Sequence, residues 1–193
     1  AKAFQASKNP FYKEIVEQTT EWLSVEMKDA EGGYYAALDA DSEGVEGKFY
    51  TWTKEELQQL LGKDYPIIEE YYQINRIGYW EEENVYIPLR KEHDAVVAKK
   101  LGLTLVALQE KIADLKQTLL FHRNKRIRPG LDDKQLTSWN ALLVTGFTDA
   151  YLAFQDERYL NKAQKLAEWI LNHQLRPDHS LWHTRKNGTS TID

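Results

Sequence analysis

The sequence predicts a mainly α-helical fold with a few short β-strands in its connections. Three observations favour this class: apolar residues recur at helical spacing over four long segments, short aromatic runs stand between turn residues, and one helix–turn–helix pattern occurs twice. The chain has 193 residues, of which 42% are hydrophobic and 28% charged. This length and composition are typical of a folded protein of about one domain.

Four segments carry the helical periodicity. In the first, the apolar residues follow 3.6-residue spacing and predict one buried stripe, and Asn9-Pro10 supplies an N-cap and a first-turn proline. Thr53-Lys54-Glu55-Glu56 is a capping-box sequence that opens a shorter helix, which we expect to end near Gly62. The predicted long helices cover residues 11–27, 105–121, 133–154 and 158–175.

Short strands are predicted where aromatic and β-branched residues lie between turn residues. Tyr34-Tyr35, the run from Lys48 to Trp52 and the segment from Asn84 to Leu89 have this character. Because the chain begins at Ala1 without a methionine, inside what reads as a helix, we expect a piece of a longer protein.

An internal repeat joins the two ends of the chain. Shifted by 147 residues, Phe4 falls on Tyr151, and Glu21-Trp22-Leu23 falls on Glu168-Trp169-Ile170. Each copy reads as a helix end, a tight connection, a long helix and a small turn-and-strand unit. Since a short connection makes neighbouring helices antiparallel, the repeat predicts stacked helical hairpins, with the long connection between them at one end of the array.

Composition excludes several classes of function. The net charge of −5 argues against a nucleic-acid binder or an anionic-membrane binder, because both need a cationic face. The absence of cysteine excludes disulfides, thiolate metal sites and thiol catalysis within this chain. No signal-like segment, bilayer-length apolar run, phosphate loop or dinucleotide motif occurs, so we expect a cytoplasmic protein without a cofactor.

The first candidate site is the acidic stretch from Gly32 to Gly44. Asp39, Asp41 and Glu43 alternate as the ligands of a calcium loop do, but the twelfth position is Tyr50 rather than glutamate. These acids also suit general acid and base chemistry at a sugar. A third interpretation is a solvated turn whose side chains cap their own backbone.

The second candidate site spans residues 126–140. Asp132 with Gln135 three residues later is an N-cap pattern, which would place the next polar residues at a helix start where free N–H groups favour anions. An acid, a base, an amide and an indole in one turn suit a polyhydroxylated ligand. Those four residues are Asp133, Lys134, Asn140 and Trp139.

Basic and aromatic residues supply the remaining candidates. The cluster of His122, Arg123, Lys125, Arg126 and Arg128 could hold a phosphate or carboxylate of a substrate, or a nucleic-acid backbone. It could also simply follow a helix C-terminus, where cations are favoured. Among the tryptophans, Trp22 and Trp169 are predicted to lie in the core. Those in or beside connections could stack on a ligand, and they are Trp52, Trp80, Trp139 and Trp182.

These two polar stretches resemble signatures of the YyaL-like family, the spermatogenesis-associated, thioredoxin-domain-containing proteins. The first runs through Gly32-Gly33-Tyr34-Tyr35 and Asp39-Ala40-Asp41-Ser42-Glu43-Gly44 to Trp52-Thr53, and the second runs from Arg128-Pro129 to Trp139-Asn140. Residue 141 is alanine where the family commonly has glycine.

The resemblance implies an incomplete (α/α)6 toroid, similar to six-hairpin glycosidases and N-acylglucosamine 2-epimerases. Residues 1–193 would form a single fragment of it, without the thioredoxin-like domain or the remaining hairpins. It implies a sugar epimerase, isomerase or glycoside hydrolase, inactive as an isolated fragment, or alternatively a non-catalytic scaffold beside a thioredoxin-like domain.

The resemblance and the residues together define the predicted site and partners. We expect a small carbohydrate ligand and self-association through the truncated edges, with no nucleic-acid or membrane partner and no resident metal. The predicted catalytic residues are Asp39, Asp41, Asp132 and Asp133. The predicted substrate-binding residues are Tyr35, Glu43, Trp52, Arg128, Lys134, Trp139 and Asn140.

Overall fold

The computed structural model describes residues 1–191 and is mainly helical. In chain order the helices are α1 (Lys2–Ser7), α2 (Pro10–Glu26), α3 (Lys54–Leu61), α4 (Tyr65–Tyr71), α5 (Asp94–Lys100), α6 (Leu105–Arg123), α7 (Thr137–Phe154) and α8 (Glu157–His173). The short strands are β1 (Ala37–Leu38), β2 (Asp41–Ser42), β3 (Val45–Glu46), β4 (Tyr79–Trp80), β5 (Val85–Tyr86), β6 (Leu131–Asp132), β7 (Gln135–Leu136), β8 (Thr184–Lys186) and β9 (Thr189–Thr191).

The chain divides into two compact units. The hairpin unit comprises Ala1–Leu38 and the chain from Leu131 onward, and the inserted unit comprises Asp39–Gly130. Within the hairpin unit, β1 pairs antiparallel with β6, and β7 pairs with β8, which pairs with β9. Within the inserted unit, β2 pairs with β3 and β4 pairs with β5.

Most predicted helices occur within a few residues of their predicted ends. The exception is α7, which begins at Thr137 rather than at residue 133. Its predicted first turn is extended instead, because Gln135 and Leu136 pair with Arg185 and Thr184 of β8. This pairing joins residues about 50 positions apart, so local periodicity could not reveal it.

The strand predictions were partly wrong. Tyr34 makes only an isolated bridge to Lys28, and the strand begins at Ala37 instead. The run from Lys48 forms turns, apart from a bridge between Trp52 and Tyr86. The third prediction is confirmed in shortened form, as β5.

The internal repeat is confirmed in detail. The bounds of α2 and α8 differ by 147 residues at both ends, and α1 and α7 end at Ser7 and Phe154, the same interval apart. Each long helix starts on a side-chain cap, Asn9 in one copy and Asp156 in the other. The bridges that close the following turns, Lys28 to Tyr34 and Leu175 to Leu181, match in the same register. The two copies therefore fold alike down to single hydrogen bonds.

The core of the hairpin unit lies mainly between α7 and α8. Its buried residues are Met27, Tyr34, Phe147, Ala150, Tyr159, Ala163, Leu166, Trp169 and Ile170. The predicted burial of Trp169 is confirmed, but the buried stripe predicted for α2 was wrong. No residue of α2 is buried, and Trp22 is 40% exposed. The apolar residues of α2 that pack against this core are the half-buried Val16 and Leu23, and most of the apolar face of α2 stays exposed. Self-association through the truncated edges stays a prediction.

The core of the inserted unit forms where α3 to α6 pack together. It contains Trp52, Leu57, Leu61, Tyr65, Ile68, Tyr71, Ile74, Val97, Ala98, Leu108, Ile112, Leu115 and Leu119. The capping box predicted at Thr53 is confirmed: Thr53 Oγ1 accepts from the Glu56 N–H, and the Glu56 carboxylate accepts from the Thr53 N–H.

In the turn that follows α2, the backbone of Gly33 lies directly against the indole ring of Trp169. A Cβ atom at this position would lie closer than 3.0 Å to three carbon atoms of the Trp169 indole. The indole is buried, at 3% exposure, so it cannot move away from an added methyl group without displacing other core residues.

We expect Gly33→Ala to lower the free energy of unfolding by about 2 kcal/mol, because overpacking a close-packed core forces neighbours from their positions. Gly146→Ala is the matched control: it lies inside α7 with nothing within 4 Å of its Cβ position. It should raise stability by up to about 1 kcal/mol. Urea unfolding followed by circular dichroism measures both, and equal effects would contradict the packing argument.

Candidate functional site

The two signature segments meet within the hairpin unit. Ala37 and Leu38 pair with Asp132 and Leu131, and the Ala36 N–H donates to the Asp132 carbonyl over 3.2 Å. The prediction that the long connection brings the two segments together is confirmed at this strand pair.

The side-chain amide of Asn140, in the second signature, hydrogen-bonds to the backbone of Tyr34 in the first. Its Oδ1 accepts from the Tyr34 N–H over 2.9 Å, and its Nδ2 donates to the Tyr34 carbonyl over 3.0 Å and to the Leu136 carbonyl over 2.9 Å. The side chain is buried, at 2% exposure. Every hydrogen of this amide is directed at backbone, so Asn140 is a structural residue here, while its predicted contact with a substrate stays a prediction.

Asp132 and Asp133 each have a lysine partner. Asp132 accepts from the Lys134 N–H over 3.3 Å and pairs with Lys134 Nζ at 3.2 Å. Burial alone would raise the pKa of Asp132, but the hydrogen bonds from Lys134 outweigh it and hold this pKa below its ordinary value. Asp133 pairs with Lys186 at 2.8 Å and raises the pKa of that lysine. The N-cap role predicted for Asp132 was wrong, because it lies in β6 and α7 begins at Thr137 without a side-chain cap.

Tyr35 and Trp139 complete the predicted residues of the hairpin unit. The Tyr35 hydroxyl donates to the Asp29 carboxylate, and this bond raises the pKa of Tyr35 to about 12. Tyr35 is therefore a neutral hydroxyl at physiological pH. Trp139, in the first turn of α7, is 54% exposed and offers an open apolar face.

The acidic turn of the inserted unit uses its side chains locally. Asp39 Oδ1 accepts from the Asp41 N–H over 3.3 Å, and Glu43 pairs with Lys48 at 2.8 Å. Both aspartates are exposed. Within residues 1–191, no group of three acids or histidines is placed to hold a metal ion. The contacts are those of a turn that caps its own backbone.

Trp52 is a core residue, contrary to the prediction that it stacks on a ligand from a connection. It is 5% exposed, and the Arg126 guanidinium lies 3.9 Å from the centre of its ring. The same guanidinium donates to the carbonyls of Lys48, Phe49 and Thr51 and pairs with Glu56 at 3.1 Å. Arg126 therefore occupies the ring face that a ligand would need.

The basic cluster packs on aromatic residues of the inserted unit. The guanidinium groups of Arg123 and Arg128 lie 5.1 and 5.4 Å from the Phe49 ring, and Lys125 Nζ lies 4.0 Å from the Phe121 ring. Burial lowers the pKa of Arg123. These contacts favour a structural role for the cluster through cation–π stacking.

A cavity of about 640 Å³ opens in the inserted unit beside these contacts. More than half of its lining belongs to the first signature, including the predicted residue Glu43. The lining residues are Ser42, Glu43, Val45, Glu46, Lys48, Phe49, Thr51, Thr53, Glu56, Glu83, Val85, Lys125, Arg126 and Ile127. Glu46 and Glu83 are not among the predicted site residues. Glu46 lies within the first signature, whereas nothing in the sequence marks Glu83.

Fold and cavity together define a mainly helical chain that carries a repeated hairpin and a polar pocket. No protein-family model matches it. It is 26% identical to human spermatogenesis-associated protein 20 over 90% of this chain, and 28% identical to the mouse protein of that name over 89%. An uncharacterized protein of Caenorhabditis elegans is 30% identical over 82% of the chain.

These relatives support the resemblance to the spermatogenesis-associated proteins. The chain spans about a quarter of the length of the curated relatives it matches. Across the described residues, no helix is both long enough and apolar enough to cross a bilayer.

We expect Asn140→Ala to lower the free energy of unfolding by about 3 kcal/mol, because it leaves the buried N–H and carbonyl of Tyr34 without partners. Thr148→Ala, on an exposed site of the same helix, should change stability by less than about 0.5 kcal/mol. Chemical unfolding measures both. An Asn140→Ala protein as stable as the Thr148→Ala control would show that the amide does not hold the turn.

Proposed function

We propose that this chain forms part of a carbohydrate-processing protein and that the cavity of the inserted unit binds the polyhydroxylated ligand. The observation that carries this proposal is the composition of the cavity wall, which is built largely from the first signature. In the whole protein the reaction would be sugar epimerisation, isomerisation or glycoside hydrolysis.

The size and polarity of the cavity suit such a ligand. Small-molecule sites usually measure about 300 to 1,000 Å³, and this cavity measures about 640 Å³. Val45, Val85 and Ile127 supply an apolar surface, while four glutamates supply acceptors for sugar hydroxyls. Those glutamates are Glu43, Glu46, Glu56 and Glu83.

The four carboxylates differ in their environment. Glu43 pairs with Lys48, and Glu56 pairs with Arg126 while it also closes the capping box. Glu46 and Glu83 make no ion pair with any residue in the described part of the chain. These two are therefore the cavity carboxylates best able to accept ligand hydroxyls or exchange a proton.

The signature aspartates remain proposed catalytic residues of the whole protein. Since the pKa of Asp132 lies below its ordinary value, it would act as an ionised base or nucleophile rather than as a general acid. Asp39, Asp41 and Asp133 stay proposals without an assigned step.

A second candidate function is a non-catalytic binding or scaffold module beside a thioredoxin-like domain. One observation favours it: several predicted site residues already have partners inside the fold. Tyr35 bonds Asp29, Asp133 pairs with Lys186, and Asn140 bonds Tyr34. Side chains that hold one another in this way make a surface rigid, which suits a scaffold, and they leave fewer donors and acceptors for a substrate.

We expect Glu83→Gln to weaken the binding of a monosaccharide about tenfold, because an ionised acceptor forms a stronger hydrogen bond than an amide. Glu81→Gln is the matched control, since this exposed glutamate of the same turn does not line the cavity. Calorimetric titration of the full chain with a panel of neutral monosaccharides measures both. If no sugar binds, or if the two variants bind alike, the cavity is not the sugar site.

Turnover separates the two candidate functions. In the longest natural polypeptide that carries this sequence, an enzyme should lose at least about 100-fold of its rate with Asp133→Asn, provided that carboxylate takes part in proton transfer. Asp149→Asn is the control, because its carboxylate is similarly exposed and pairs with Lys2. A scaffold should show no sugar turnover, and its Asp133→Asn variant should lose a partner in a pull-down instead.

A further inference from the structure

A second cavity, of about 740 Å³, lies in the hairpin unit and shares no lining residue with the cavity of the inserted unit. One wall is the C-terminal end of α2 with the turn that follows it, and the other is a stripe of α8. Arg158, Lys162, Lys165 and Trp169 recur on this stripe at three- and four-residue spacing, which places them on one helix face.

The charge of this cavity is positive, although the chain carries a net charge of −5. Lys28, Lys162 and Lys165 line it, and none of them pairs with a carboxylate in residues 1–191. The other charges in the wall largely cancel, because Arg158 pairs with Asp156 and Glu31 with Arg185. Glu168 is the remaining carboxylate of the lining.

The environment of Lys162 is the strongest evidence for an anion site. It is half-buried, and its Nζ donates to Ser24 Oγ over 2.7 Å, while the Ser24 hydroxyl donates to the Thr20 carbonyl. Burial lowers the pKa of Lys162, and the charges of Lys28 and Arg158 lower it further, against the smaller opposing effect of Glu21. Burial removes part of the hydration of the ammonium group, and the neighbouring positive charges repel it. Because both effects destabilise its charged form, a bound anion would stabilise it.

The donors around Lys162 favour one class of anion. Carboxylates are best recognised by a free guanidinium fork, but the fork of Arg158 is engaged by Asp156 at 2.6 Å. Three ammonium groups from two elements instead suit a compact anion with several oxygens. Asn161 and Asn172, exposed at the cavity wall, add neutral amide donors.

We propose that this cavity binds the phosphate group of a small phosphorylated molecule, held by Lys162 with Lys28 and Lys165. The cavity volume exceeds that of inorganic phosphate, so the remainder of the molecule lies along the open groove between α2 and α8. This site is a second ligand site, and it stands whether or not the inserted unit binds a sugar.

Titration of the full chain with inorganic phosphate, at constant ionic strength set by chloride, tests the proposal. NMR chemical shifts of the α8 amides and the melting temperature provide two readouts. Lys162→Gln should weaken phosphate binding about tenfold or more, and Lys165→Gln, an exposed site, should weaken it severalfold without affecting folding. Lys8→Gln removes the same charge from an exposed position outside the cavity and should bind as the parent does.

Three outcomes would overturn the assignment. Phosphate that shifts no α8 resonance beyond the effect of chloride would show that the cavity is not an anion site. Equal losses in Lys165→Gln and Lys8→Gln would show that only net charge matters. Acetate that binds as tightly as phosphate would assign the cavity to carboxylates instead.

Discussion

The hairpin unit depends on a single amide. Asn140 satisfies both backbone groups of Tyr34 and the carbonyl of Leu136, and it does so from a buried position where water cannot substitute. Through these bonds the first turn of α7 fixes the turn that follows α2. The strand pair of Ala37 with Asp132 follows directly along the chain, so the two signatures are joined both by the Asn140 amide and by backbone pairing.

The two copies of the hairpin share their local hydrogen-bonded features but differ in their packing. Both copies use the same cap position, the same left-handed residue after the first helix, at Lys8 and Gln155, and the same closing bridge. The copies differ where they pack: α8 buries Trp169 against Gly33, whereas α2 keeps Trp22 at the surface. The same sequence pattern therefore forms a buried helix in one copy and a largely exposed helix in the other, because the two helices have different neighbours.

The inserted unit shows how a charged run can be structural. Arg126 stacks on Trp52 and donates to three backbone carbonyls of the loop from Lys48 to Thr51, which holds this loop in a form without regular strand. That loop is also the wall of the cavity. The basic residues therefore shape the pocket, and Lys125 and Arg126 also form part of its lining beside the glutamates.

The sequence by itself determined the mainly helical class, the long helices α2, α6 and α8, the capping box at Thr53 and the repeat. Each of these depends on contacts between residues close in sequence or on a pattern that occurs twice. Tertiary structure decided the start of α7, the burial of Trp52, the exposure of Trp22 and the place of Glu83 in a cavity wall. Those features depend on pairing and packing between residues far apart in the chain, and such contacts produce no periodic pattern in the sequence.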